Sequence, residues 1–239
     1  MSIKETVMKK LLPIGLALIA VNTYAERDWR GEGDLAFSKA SGNSQSESLL
    51  ANLSIVYERD RWTHTGRIEA VNTSEDDERS AEAYVLTGKS DFSLNETYYV
   101  FGKGRYEDNR FSGYEYQASA TTGLGMHVID SEVAKFDLEA GVGYRRSEEQ
   151  GTGNTLNEAV VTLGGIYTRQ ITETTRFDGR LQTESGKDNT YAESELAVRV
   201  KINSHLAMKV AYLVKHNTDV PDGTKNTDTL TSVGLTYSF

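Results

Sequence analysis

The chain has 239 residues, no cysteine, two prolines and a formal charge of −9. Zero cysteines exclude a disulfide framework and a thiolate metal site, and the acidic balance argues against nucleic acid, whose binders carry basic patches. A mean hydropathy of −0.50 still admits a membrane barrel, because such a barrel shows lipid only alternate residues.

At the start, Lys9 and Lys10 precede an apolar run over 11–21 and then Asn22, Thr23, Tyr24 and Ala25. A basic region, a short apolar stretch and small residues make a secretory signal peptide over 1–25, cut after Ala25. The apolar run is too short for a transmembrane helix, which needs about 20 residues, and no other run in the chain approaches that length. The leader holds three lysines and one glutamate, net +2, so 26–239 carries −11. That remainder reads as one domain.

Twelve strands are predicted, over 28–38, 47–58, 62–73, 81–91, 97–107, 114–127, 136–146, 155–168, 175–184, 191–202, 206–215 and 228–239. Each alternates with the period of two that a strand imposes. In the second, Leu49, Ala51, Leu53, Ile55 and Tyr57 alternate with Asn52, Ser54 and Glu58; in the seventh, Phe136, Leu138, Ala140, Val142 and Tyr144 alternate with Asp137, Glu139, Gly141, Gly143 and Arg145. The fourth and fifth are ambiguous, because Tyr84, Leu86, Tyr99 and Phe101 put bulk on what reads as the polar side. Connections alternate between short (59–61, 92–96, 128–135, 169–174, 203–205) and longer polar ones (39–46, 74–80, 147–154, 216–227). The expectation is an all-β fold: a closed antiparallel transmembrane β-barrel of about 12 strands, with short periplasmic turns and longer extracellular loops.

In this topology Trp29, Tyr57, Trp62, Tyr98, Phe136, Tyr167, Phe177 and Phe239 fall near the periplasmic ends of their strands. Phe37, Tyr106, Tyr114, Tyr144, Tyr191 and Tyr212 fall near the outer ends. Two such levels are the aromatic girdles of a membrane barrel. The last strand ends on Tyr237 and Phe239, and a terminal aromatic of this kind is the insertion signal read by the barrel-assembly machinery. The expected address is the cell outer membrane, with its lipid and lipopolysaccharide as partners.

Several stretches carry a family likeness: Gly31 to Ser44 (GEGDLAFSKASGNS), then 49–60, Glu107 to Gly113 (EDNRFSG) and Thr122-Gly-Leu-Gly125. In these the chain resembles the salt-induced, YdiY-like outer-membrane protein family over nearly all of 26–239. The resemblance implies an outer-membrane β-barrel and brings no catalytic residue.

Motifs that carry chemistry elsewhere dissolve on inspection. The Gly-x-Gly pairs at 31/33, 102/104, 123/125 and 141/143 lie inside strands, whereas a dinucleotide loop needs a strand-to-helix turn. The Asp219 to Gly223 stretch lacks the later ligands of a calcium loop. Of four histidines only His216, at the start of the last loop with Asp219 and Asp222 near it in sequence, is placed for rim chemistry, and no nucleophile accompanies it. Acidic residues at 75–78 and at Glu148 and Glu149 read as a solvated loop face, with weak divalent-cation binding as the sharper alternative. No enzyme, metal or cofactor is expected.

What stands out is the proposed lumen. Glu58, Arg67, Glu69, Lys103, Arg105, Asp137, Glu139, Gly141, Gly143, Arg145, Arg176, Asp178, Arg180, Glu193, Glu195 and Arg199 fall on inward faces. On the lipid side each charge would cost about 2–4 kcal/mol near the midplane. Glycines at 123, 125, 141, 143, 164 and 234 read as open space along one wall. The resulting expectation is a narrow polar passage for ions or small solutes. Its alternatives are a non-conducting structural or salt-stress-related envelope barrel with a lumen plugged by salt bridges and, more distantly, an outer-membrane hydrolase.

Overall fold

The computed structural model describes residues 28–40, 46–75, 78–109, 114–149, 151, 153–220 and 225–239. The leader, residues 76–77 of the acidic run and 221–223 of the last loop lie outside them, so the expectations placed there concern undescribed residues.

Twelve strands follow one another: β1 (Trp29–Ala40), β2 (Ser46–Arg59), β3 (Trp62–Glu75), β4 (Glu78–Ser93), β5 (Tyr98–Asn109), β6 (Tyr114–Asp130), β7 (Ala134–Glu149), β8 (Thr155–Gln170), β9 (Thr175–Ser185), β10 (Thr190–Lys201), β11 (Leu206–Asn217) and β12 (Thr227–Ser238). Each pairs with its chain neighbours, and β12 pairs antiparallel with β1 from Glu32 opposite Ser238 to Phe37 opposite Val233, so the sheet is a closed barrel. Closure leaves no strand at the edge of an open sheet.

Local chemistry explains the short turns. Asn95 Oδ1 accepts the backbone N–H groups of Thr97 and Tyr98, Asn203 Oδ1 those of His205 and Leu206, and Thr172 Oγ1 those of Thr174 and Thr175. Asn and Thr side chains imitate a backbone turn in this way. Between β2 and β3 the reversal takes two residues, and Asp60 adopts a positive φ of 55° there, a conformation that Asp tolerates better than most side chains.

The two faces have opposite chemistry. Leu35, Leu124, Val142 and Leu163 point outward and are about 60% exposed, a density of bare apolar surface that water-soluble barrels avoid. Tyr84 and Leu86 belong to this face, whereas Tyr99 and Phe101 point inward and are 4% exposed, which resolves the ambiguity in β4 and β5. Trp29, Tyr57, Trp62, Phe136, Tyr167 and Phe177 ring the short-turn end, linked by ring contacts such as Trp29 to Tyr57 at 4.5 Å and Phe136 to Tyr167 at 6.1 Å. Tyr144 and Tyr212 lie outward towards the long-loop end. Tyr114 and Tyr191, read from sequence as part of that outer girdle, instead turn inward and are buried, because a register shift at Tyr114 and the pairing of Tyr191 with Glu184 set them on the lumen face.

Candidate functional site: the barrel interior

Charged residues of the proposed lumen meet as acids and bases in layers. Near the short turns, Glu32 accepts from Arg176 and Arg199, each at 3.5 Å, and Asp178 from the same two arginines at 3.1 and 3.2 Å. One wall carries a second group. Lys89 lies 2.5 Å from Glu139 and 2.8 Å from Asp91, Tyr99 donates its hydroxyl to Glu139 at 2.8 Å, and His127 meets Asp137 at 2.6 Å.

Midway up, the networks leave the wall and cross the lumen. Arg180 of β9 reaches Glu195 at 3.0 Å and Glu193 at 3.1 Å on β10, and Glu69 on β3 at 3.6 Å. Lys215 of β11 reaches Glu107 on β5 at 3.4 Å. In a closed ring of twelve, β3 and β9 are six strands apart in either direction, as are β5 and β11. These pairs therefore join opposite walls. Lys103 on β5 donates to Gln182 on β9 at 2.8 Å, and Arg105, paired with Glu107, donates to the Tyr191 hydroxyl on β10 at 3.2 Å and lies over its ring.

Towards the long loops the interior closes further. Arg145 Nη2 binds Glu158 at 2.5 Å and the Asn189 carbonyl at 2.5 Å, while Nη1 donates to the Glu184 carbonyl at 3.3 Å. The Arg145 side chain is 2% exposed and that of Glu158 6%. At the short-turn rim, by contrast, Arg30 and Glu58 pair at 2.6 Å with side chains 63% and 48% exposed. The interior is thus a vestibule that opens towards the short turns and is filled towards the long loops. Burial of charge on this scale is tolerated because each buried ion has partners.

Of the six glycines expected to leave space on the inward wall, Gly164 would take a Cβ in ordinary contact with Glu139 and Leu181, whereas the other five would not. A Cβ on Gly125 would collide with the Tyr99 ring, and one on Gly141 would meet Phe101 and the Thr122 carbonyl. A Cβ on Gly123, Gly143 or Gly234 would strike the backbone of the adjacent strand. These positions are sites of close approach, where strands bend and aromatic rings need a seat. The expectation of an open wall there is corrected: the rings of Tyr99 and Phe101 and neighbouring backbone occupy it.

Each histidine hydrogen-bonds to one side chain. His64 bonds Ser90, His205 bonds Ser204, His127 bonds Asp137 and His216 bonds Thr227. His216 lies within β11, paired with Thr227 on β12, so its placement in the last loop is also corrected. Among the described residues no histidine joins a hydroxyl to a carboxylate, and no three His, Asp or Glu side chains converge as metal ligands.

The family described as "Protein of unknown function, DUF481" matches residues 33–239. The chain belongs to this DUF481 family. It is 31% identical over 218 residues to "Uncharacterized protein YdiY" of Escherichia coli (strain K12), an alignment covering 90% of this chain and 85% of that protein. Among solved structures it is similar to the NanC porin, with a TM-score of 0.52 and 10% identity over 87% of this chain and 97% of that one. It is also similar to the translocator domain of the autotransporter NalP from Neisseria meningitidis, with a TM-score of 0.50 and 13% identity over 99% and 96%. At these identities the likeness speaks of fold alone. This DUF481 protein has the fold of outer-membrane β-barrels.

Proposed function

We propose that this DUF481 protein is an outer-membrane barrel that does not conduct in the state described, its interior serving as a polar brace with a vestibule towards the short turns. The observation that carries the reading is the pair of ion contacts between opposite walls, Arg180 with Glu69 and Lys215 with Glu107. A continuous water-filled passage wide enough for solutes has no place for salt bridges across its diameter. Twelve strands make a lumen intermediate between eight-stranded barrels filled by side chains and sixteen-stranded porins, so a brace of long charged side chains suffices to cross it.

A second reading, the narrow passage for ions or small solutes, is favoured by one observation: charged side chains line the interior from end to end, and the ion pair at the short-turn rim is far more exposed than the one towards the long loops. It requires the crossing pairs to part. Conductance of refolded protein in planar bilayers separates the two. Silent bilayers that contain heat-modifiable, folded barrel support the brace; steady single-channel steps from the unaltered protein overturn it. Hydrolysis is not supported by the histidine pairs, since none supplies the nucleophile, base and orienting acid together.

A further inference from the structure

Two recesses lie on the outward surface at the short-turn end, and they share one construction. The first, of about 210 Å³, is lined by Tyr57, Arg59, Asp60, Trp62 and His64; the second, of about 410 Å³, by Tyr167, Arg169, Gln170, Ile171 and Phe177. Each begins with Tyr-x-Arg at the end of a strand (Tyr57-Glu58-Arg59, Tyr167-Thr168-Arg169), continues through the short turn, and is completed by an aromatic on the next strand. The strands involved, β2 with β3 and β8 with β9, lie diametrically opposite in the ring.

We infer that these recesses bind the headgroups of anionic phospholipids in the leaflet that faces the short turns. The inference rests on the membrane reading and goes beyond it by naming a lipid class and two sites. Aromatic rings flank each recess: Trp62 stacks with His64 at 5.6 Å, and Tyr167 lies 6.2 Å from Phe177. Amphipathic rings hold the level of the headgroups. The arginine at each site, on the lipid-facing side of its strand, snorkels to that level and supplies donors matched to a phosphodiester. Asp60 opposes binding at the first site. Arg61, held by the Ser93 and Leu94 carbonyls and lying 4.7 Å from the Phe92 ring centre, adds a cation beside it. Among the residues lining the second recess there is no acid, so its preference for an anion is the stronger.

The chain's two tryptophans, Trp29 and Trp62, both belong to the aromatic cluster around the first recess, so brominated lipids read that site directly. In mixed vesicles, brominated phosphatidylglycerol is expected to quench with a relative association constant about fivefold that of brominated phosphatidylcholine, the effect of one cation at an anionic surface. Arg59→Gln should bring the ratio to near one without changing heat-modifiable migration. A Phe177→Trp reporter in a Trp29→Phe/Trp62→Phe background tests the second recess, with Arg169→Gln as its partner variant. Equal quenching by the two lipids in the unaltered protein, or a preference that survives both arginine replacements, overturns the headgroup sites while leaving the membrane barrel intact. Absence of quenching by either lipid overturns both.

Discussion

The ring of Phe239 occupies the place where a Cβ of Gly31 would stand, and the two residues exchange backbone hydrogen bonds of 2.9 and 3.0 Å across the barrel seam. The terminal aromatic is therefore seated on β1 as well as displayed to lipid. Phe239→Ser should lower the yield of heat-modifiable barrel more than Phe37→Ser, which alters an outward side chain farther up the same seam. Gly31→Val should also lower it, by forcing the ring aside. Combined with Phe239→Ala, Gly31→Val should cost little more than Phe239→Ala alone, since contacting residues are non-additive. Strict additivity would show that the seat does not matter.

Glycine replacements should divide by face. Gly102 and Gly104 on β5 have open space where a Cβ would be, whereas Gly141 and Gly143 on β7 meet backbone and rings. Gly104→Ala is expected to fold at parental yield. Gly143→Ala should fold poorly or unfold at lower urea, because the clash is with β6 backbone, which moves only with the sheet. Equal urea midpoints for the two variants would contradict the packed interior.

This contrast also shows how far the sequence could be read. Facing was legible wherever apolar and polar residues alternated strictly, as from Leu49 to Tyr57, because a one-residue slip would reverse every side chain. It was not legible in β5, where the outward positions 102 and 104 are glycines and the inward ones include Tyr99 and Phe101. The rings are inside because Gly125 and Gly141 on β6 and β7 make room for them, and strand pairing, not local pattern, brings those residues together. The same holds for the brace: Glu69 and Arg180 are both readable as inward, yet their contact depends on the closed ring.

Buried and rim pairs should differ in energy. Arg145→Gln leaves Glu158 without its guanidinium in a site nearly closed to water, at an expected cost of about 3–5 kcal/mol. Arg30→Gln breaks an exposed pair with Glu58 and should cost less than about 1 kcal/mol. Urea unfolding of the protein in lipid vesicles measures both. Similar small costs would mean that water fills the outer half of the barrel.

If crossing pairs close the lumen, removing bulk at one level should open it. Arg105, Glu107, Tyr191 and Glu193 form one connected group: Arg105 pairs with Glu107 and donates to Tyr191, which donates to Glu193 at 2.5 Å. Replacing only Arg105 would leave the Glu107 and Glu193 carboxylates with Lys215 as their shared cation, so the folded yield would fall before any pore appeared. The combined Arg105→Ala/Glu107→Ala/Tyr191→Phe variant removes a cation, an anion and a hydroxyl together, preserving net charge while clearing the link between β5 and β10. It should fold and give single-channel steps that the unaltered protein lacks. Lys103 and Lys215 remain at this level beside Glu184 and Glu193 and offset their charge, so those steps should discriminate little between cations and anions. A folded but silent variant would show that this layer alone does not close the lumen, the Arg180–Glu69 contact and the Arg145 level being left in place.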